Sequence, residues 1–180
     1  MKIKSIKHHL QPYSIMGKRE TTINHAFASA IAPNDSYDEK IIKEAVKTLE
    51  QNPDEDLLCA YCGDLAETWD HVFGLVKNSK FSGYGHTIGN LLPCCKKCNS
   101  EKGNKNWEDF IKTKTSDINR YNILLQYFKK YLPNTIDYNN IKRFCSYEIN
   151  ELEIIKSKIF ELMKEADNIA IKVRKKVKKL

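Results

Sequence analysis

Two cysteine pairs with the same short spacing are the residues most suited to chemistry in this sequence. Cys59 and Cys62 enclose the first pair in "CAYC", and Cys95 and Cys98 enclose the second in "CKKC". A tight turn presents both sulfurs of such a pair to one ion, and four thiolates are the ligands that tetrahedral zinc prefers. Because four protein ligands leave no open coordination position, the pattern predicts a structural Zn²⁺ site.

The segment between the two pairs carries further polar residues of interest. It is 32 residues long, which exceeds the usual spacing of a zinc ribbon. Asp70 and His71 end a predicted short strand in "AETWDHVFGL", Asn90 opens "NLLPCC", and Asn99 directly follows the last cysteine of the pairs. Two cysteines remain, and both are predicted to be buried apolar thiols: Cys94 and Cys145.

These motifs together resemble the HNH nuclease family, whose shared element is a ββα-metal fold. The matching stretches are "CAYC", "WDHV" and "GHTIGNLLPCCKKCNSEKGNKNW", which lie within about residues 57 to 110, under a third of the chain. The resemblance implies an α+β fold, mostly helical, in which a small zinc-stapled ββα-metal (HNH) module is flanked by N- and C-terminal helices.

The resemblance also implies a catalytic role for each polar residue. His71 becomes the general base that activates water, and Asn90 fixes the loop that orients His71 by hydrogen bonds to the backbone. Asp70 and Asn99 become the ligands of a catalytic metal. Since Asn99 stands where many relatives have histidine, the chain is an H-N-N variant, and an amide oxygen suits Mg²⁺ or Mn²⁺ better than zinc.

General chemistry agrees with these implied roles. An imidazole with a pKa of about 6.5 can take a proton from water at neutral pH. A divalent ion can neutralise the charge that develops on the departing oxygen of a phosphodiester. Lys102 and Lys105 follow Asn99 and are predicted to hold flanking phosphates, while His86 is predicted either to contact a substrate phosphate or to be a loop residue.

Positive charge is concentrated at the two ends of the chain. The net charge is +7, residues 2–19 carry five basic residues and no acid, and residues 172–179 carry six. Such ends suit a chain that binds a polyanion such as double-stranded DNA. A tail that is merely solvated is the alternative. The tail residues predicted to bind nucleic acid are Lys172, Arg174, Lys175 and Lys176.

Three segments follow from the helical periodicity at both ends of the chain and from the resemblance of the part between them to an HNH module. Residues 1–56 are predicted as an N-terminal helical arm, 57–112 as the HNH module with its zinc knuckles, and 113–180 as a C-terminal helical region with a basic tail. Helices are predicted after Asp35 or Ser36 and after Ser116. From Tyr147 onward one amphipathic helix of nearly 30 residues is expected. Its apolar stripe either packs along the domain or pairs with a second chain in a homodimer.

The distribution of apolar residues argues against a membrane protein and against a secreted one. No apolar run approaches the roughly 20 residues that cross a bilayer, and the N-terminus lacks an apolar signal core, so we expect no membrane partner and a cytoplasmic protein. The function that the resemblance implies is that of a metal-dependent HNH endonuclease acting on DNA, most specifically a type II restriction endonuclease. The alternatives are a phage or homing-type nicking endonuclease and a zinc-dependent nucleic-acid-binding module without catalysis.

Overall fold

The computed structural model of the chain describes residue 3 and residues 6–133 and 135–180. Lys2 and Lys4 of the basic N-terminus lie outside the described residues. The helices are α1 (Ile6–His9), α2 (Ile15–Ile31), α3 (Glu39–Thr48), α4 (Lys96–Lys102), α5 (Trp107–Lys114), α6 (Ile118–Lys130), α7 (Tyr138–Phe144) and α8 (Ser146–Val177). The strands are β1 (Thr68–His71), β2 (Val76–Lys77), β3 (Lys80–Phe81) and β4 (Leu91–Cys94).

This arrangement confirms the predicted fold class, an α+β protein that is mostly helical. The strands form two small antiparallel sheets, β1 with β4 and β2 with β3, and helices precede and follow them along the chain. Within the described part of the chain, none of the helices combines the length and the apolar character that crossing a membrane requires.

The sheet of β1 and β4 positions the residues of interest. In its register Asp70 lies opposite Leu92, and His71 lies opposite Leu91. Because successive side chains of a strand point to opposite faces, Asp70 and His71 face different sides of this sheet. Helix α4 begins two residues after β4 and packs against β1. Two strands and one helix therefore form a compact unit around Asp70.

A tight hairpin fills part of the segment between β1 and β4. Strands β2 and β3 are joined by Asn78 and Ser79, whose φ angles are 52° and 61°. Two consecutive positive φ angles are typical of the type I′ turn, which matches the twist of paired strands. Helix α2 packs against this hairpin.

One hydrophobic core spans all three predicted segments. It joins Ala45 and Leu49 of α3 to residues of the central unit and to Leu124 and Tyr127 of α6. Trp107 belongs to this core, whereas the side chain of Trp69 is 47% exposed. The core therefore crosses the predicted boundaries after residues 56 and 112.

The predicted helices are present, with caps one to three residues away from the expected positions. Asp38, rather than Asp35 or Ser36, caps α3 by accepting hydrogen bonds from Lys40 N and Ile41 N. Asp117, rather than Ser116, caps α6. The helix expected from Tyr147 onward begins at Ser146 and extends over 32 residues.

The long helix α8 packs against α2 of the same chain. The carboxylate of Asp167 on α8 accepts hydrogen bonds from Ile15 N at 2.7 Å, Met16 N at 3.1 Å and the Ser14 hydroxyl at 2.8 Å. These bonds satisfy free amides at the N-terminus of α2.

The apolar stripe of α8 is covered only in part: Ile149 is buried, the stripe residues from Leu152 to Ala170 are half-buried, and Val173 is 53% exposed. Packing along the domain is one of the two alternatives that the sequence leaves open.

Candidate metal centre and active site

The four cysteines of the two C-x-x-C pairs come together in space. Their Sγ atoms all lie within 4.8 Å of one another, and those of Cys62 and Cys95 are 3.7 Å apart. For Zn–S bonds of about 2.3 Å, the edge of a tetrahedron is about 3.8 Å. The arrangement therefore fits a structural zinc ion held by Cys59, Cys62, Cys95 and Cys98.

Local backbone geometry builds this cluster from two distant segments. Gly63, with φ of 84°, closes the first turn by donating its N–H to the carbonyl of Cys59 at 2.9 Å. Cys95 caps α4, and its Sγ accepts a hydrogen bond from Cys98 N. Ala60 N donates to Pro93 O at 2.9 Å, which joins the first turn to β4.

The protonation of the thiols shows what zinc binding must change. Burial raises the pKa of Cys62 to about 11, and burial also raises the pKa of Cys98. A hydrogen bond from Cys94 lowers the pKa of Cys59 to about 4. Because zinc binds thiolates, its binding releases protons from the thiols that are still protonated. Arg120 places a positive charge nearby, since its Nη1 donates to Cys59 O at 3.3 Å.

The two remaining cysteines differ from each other. Cys94 is fully buried as predicted, and its Sγ lies 3.9 Å from that of Cys59. The prediction for Cys145 is wrong, because this residue is exposed rather than buried. The reason is its position at the junction of α7 and α8, where it flanks the start of a surface helix.

Asp70 lies in the buried space between β1 and α4. Its Oδ2 accepts a hydrogen bond from the Tyr61 hydroxyl at 2.7 Å and lies 3.1 Å from Lys102 Nζ. The ammonium of Lys102 also donates to His71 O at 3.1 Å. Burial, together with the Asp70 carboxylate, raises the pKa of Tyr61, so the phenol stays protonated and acts as a donor.

Lys102 is predicted to hold a flanking phosphate, and these contacts place it in the interior instead. Its side chain has no exposed surface, so in this conformation it pairs with Asp70 and does not reach a phosphate. The donor chemistry of Asp70 and Asn99 suits a hard divalent cation. However, both carboxylate oxygens of Asp70 are engaged, Oδ1 by Lys102 at 3.3 Å and Oδ2 by Tyr61. An ion at Asp70 would have to displace the ammonium of Lys102.

His71 forms a pair with His86 on the other side of the sheet. His71 Nε2 lies 2.9 Å from His86 Nδ1, and the two rings meet edge to face with centroids 4.9 Å apart. Burial lowers the pKa of His71, and the charges of His86, Lys102 and His25 lower it further against the opposing effect of Asp70. A neutral imidazole at this position can accept a proton at neutral pH.

Asn90 connects the segments on either side of the histidine pair. It is fully buried; its Oδ1 accepts from Phe73 N at 2.8 Å, and its Nδ2 donates to Phe73 O at 3.0 Å and to Gly85 O at 2.9 Å. Phe73 follows His71 by two residues, and Gly85 precedes His86. One amide side chain thus fixes the backbone beside both histidines.

The N-terminal arm also holds His86 in place. His86 N donates to Pro33 O at 2.8 Å, and Asp35 N donates to His86 O at 3.2 Å. Gly85 lies so close to the carbonyl of Pro33 that an added Cβ would collide with it. Glycine is therefore required where these two segments cross.

The remaining predicted site residues lie at or near the surface. Asn99 is half-buried on α4, and among the described hydrogen bonds its side chain makes none. Lys105 is exposed, and its Nζ contacts Glu101 O at 2.8 Å. Three of the basic tail residues are exposed on α8: Lys172, Lys175 and Lys176. Arg174 is half-buried, and its Nη1 lies 3.5 Å from Tyr13 O.

Sequence reasoning missed the partners of these residues. Tyr61 gives no signal beyond its place inside "CAYC", and its bond to Asp70 depends on the pairing of β1 with β4. His25 gives none either, because α2 approaches the site only through tertiary packing. The sequence around Pro33 and Asp35 predicts that a helix follows, but it does not predict the hydrogen bonds of this segment to His86.

Comparison of the chain with models of known protein families, with curated proteins and with solved structures finds no match in any of the three. Function is therefore argued from the geometry and chemistry of the residues themselves.

Proposed function

We propose that the chain is a metal-dependent endonuclease of the HNH type that hydrolyses phosphodiester bonds of DNA. The observation that carries the proposal is the unit of β1, β4 and α4 beside a four-cysteine cluster, with His71 at the end of β1 and Asn90 bonded to the backbone near it. The order of these elements along the chain is the one that the resemblance to ββα-metal nucleases implies, and this agreement supports the proposal. Function rests on this site rather than on the fold class.

In the proposal His71 is the general base and His86 is its positioning residue. With a proton on Nε2, His71 donates to Nδ1 of His86, and Nδ1 of His71 is then free to take a proton from water. The lowered pKa of His71 keeps this nitrogen unprotonated at neutral pH. A hydrogen bond that fixes ring orientation and tautomer is the usual support of a catalytic histidine.

A divalent cation, Mg²⁺ or Mn²⁺, belongs to the proposal as the group that would neutralise charge on the leaving oxygen. Asn99 is the ligand that is available in the described conformation. Asp70 becomes available when the ammonium of Lys102 moves away from it. The roles assigned to His71, His86 and Asn90 do not depend on where the ion lies.

DNA binding is proposed for exposed basic groups. Lys105 lies close to Asn99 in sequence, and Lys172, Lys175 and Lys176 are exposed on α8. Lysine ammonium groups at a surface serve as phosphate contacts and add affinity without reading sequence. This division assigns phosphate contacts to the exposed lysines and leaves Lys102 and Arg174 to structural roles.

Cleavage of both strands requires two active sites or two visits by one. Because α2 packs against part of the predicted stripe of α8, another surface of this helix is the better candidate for a homodimer. Three large apolar residues recur every seven positions on the exposed side of α8, a spacing that suits a helix of a second copy: Ile155, Leu162 and Ile169. The type II restriction role would fit such a dimer, whereas a monomer would favour a phage or homing-type nicking enzyme.

A nucleic-acid-binding module without catalysis is the second candidate. It is favoured by one observation, the engagement of both Asp70 oxygens by Tyr61 and Lys102. The experiment that separates the two candidates is incubation of the purified protein with supercoiled plasmid, with Mg²⁺ or Mn²⁺ and without either. A nuclease converts the plasmid to nicked or linear forms only when the ion is added, and a binding module leaves it supercoiled.

A further inference from the structure

A cavity of about 360 Å³ adjoins the histidine pair on the side of His86. Its walls are largely apolar and come from α3, β1, β4 and α6, with Val46, Leu91 and Tyr127 among them. Trp69 contributes its half-exposed indole. A volume of this size and a mostly apolar lining are typical of pockets that bind small organic groups, about 300 to 1,000 Å³.

The cavity is connected to the proposed catalytic residues through two side chains. His86 lines it and is also hydrogen-bonded to His71. Trp69 lies two residues before His71 on the same face of β1, about 7 Å along the strand. A group bound in the cavity would therefore lie within one nucleotide of a phosphate that His71 could reach.

A second, more polar cavity of about 480 Å³ continues from the first and shares Asp35, Ser36 and Ile88 with it. Two residues that line it, Thr87 and Tyr131, have buried hydroxyl oxygens without a hydrogen-bond partner within the described part of the chain. Thr87 is only 5% exposed. Neither oxygen has accessible surface to offer a molecule in the cavity, so the polar character of the cavity comes from Asp35, Asp38 and Lys130.

The charges around the polar cavity disfavour a phosphate there. Asp35 and Asp38 line it together with a single cation, Lys130. Asp35 Oδ2 accepts from Ile88 N at 2.8 Å, and Asp38 caps α3, so both carboxylates remain acceptors for neutral donors. The polar cavity suits the uncharged hydroxyl and amino groups of a nucleoside.

We propose that these two adjoining cavities hold one unstacked nucleoside of the DNA substrate, with its base against Trp69 in the apolar part and its hydroxyl and amino groups in the polar part. This inference rests on the proposed function, since it takes DNA as the substrate. Stacking of a base on an aromatic side chain is tolerant of sequence and contributes substantially to affinity. A base that is already unpaired costs least to place in such a site.

The test uses the full-length, zinc-loaded protein without added divalent ions, so that no cleavage is needed. Binding is measured by fluorescence anisotropy for two short duplexes that differ at one position, one with a single bulged nucleotide and one with an abasic bulge. We expect the duplex with the bulged nucleotide to bind about tenfold more tightly than the duplex with the abasic bulge. We expect Trp69→Ala to abolish this preference, whereas Phe144→Ala, which changes an exposed aromatic residue on α7, keeps it.

A further measurement keeps the test decisive. The chain has only two tryptophans and Trp107 is buried, so quenching of the wild-type emission by the bulged base, and not by the abasic duplex, reports Trp69 directly.

Equal affinity of the wild type for the two duplexes, or a preference that survives in Trp69→Ala, would overturn the inference. These results are separate from those for the nuclease. Plasmid cleavage without a base preference refutes only the nucleoside site, and a base preference without plasmid cleavage refutes only the nuclease.

Discussion

The ammonium nitrogen of Lys102 lies 3.1 Å from Oδ2 of Asp70, and neither side chain is more than 4% exposed. Lys105, three residues further along the chain, is exposed. Two lysines of one short polar segment therefore differ in environment: one balances a buried carboxylate, and the other lies at the surface with its ammonium bonded to the carbonyl of Glu101.

Lys102→Met should lower the free energy of unfolding by about 3–5 kcal/mol, because it leaves the carboxylate of Asp70 buried without its cation. Chemical denaturation of the zinc-loaded protein measures this change. The double variant Asp70→Asn/Lys102→Met should recover part of the loss, since it removes both charges. Lys105→Met is the matched control and should leave unfolding unchanged; equal losses in the two lysine variants would contradict the assignment.

The pH dependence of cleavage should reflect the lowered pKa of His71. A base is active when unprotonated, so a lowered pKa moves the acid limb of kcat/KM to a midpoint below about 6.5. His86→Gln keeps a side chain that can accept the hydrogen bond of His71 Nε2 but removes the coulombic effect of the second imidazole, which lowers the pKa of His71, so the midpoint should move to higher pH. His25→Gln should produce a smaller shift in the same direction. An acid limb that is the same in His86→Gln and in the wild type would contradict this account.

Zinc should be structural and separable from the catalytic ion. Elemental analysis should find one zinc per chain, and Cys98→Ser should lose the zinc together with the cooperative unfolding of the central unit, because metal binding and folding are coupled. Cys145→Ser changes an exposed cysteine outside the cluster and should change neither property. Active protein that contains no zinc would refute the assignment.

The basic tail should contribute to DNA affinity through charge. Replacement of Lys172, Lys175 and Lys176 by alanine should weaken binding, and the slope of log K against log salt should flatten by about 0.9 for each phosphate that the tail no longer neutralises. Arg174 is left in place because it contacts the carbonyl of Tyr13. Titrations at several salt concentrations give the slope, and a slope equal to that of the wild type would show that the tail is merely solvated.

Features that depend on short spacing could be predicted from the sequence. The C-x-x-C pairs predict the four-sulfur cluster because each pair needs only one tight turn. The steps of three and four in the last segment predict α8 and its less exposed side up to Ala170. Both patterns involve residues that lie close together in the sequence, so tertiary packing changes the structures they predict very little.

Features that depend on long-range packing could not be predicted. Nothing local distinguishes Lys102 from Lys105, because the difference arises when α4 packs against β1 and turns one of them inward. The pairing of His71 with His86 depends on Asn90, which fixes two separate stretches of backbone at once. The break between α4 and α5 falls at Gly103, whose φ of 48° ends the first helix before Asn106 caps the second.

The central claim is that His71 acts as the base in hydrolysis of DNA. The most direct measurement compares wild type and His71→Ala for single-turnover cleavage of supercoiled plasmid with Mg²⁺ and, in parallel, for DNA affinity without the ion. We expect cleavage to slow by about 10² to 10⁴-fold while affinity is nearly unchanged, because a base acts in the transition state far more than in ground-state binding. A near-normal cleavage rate in His71→Ala would contradict the account.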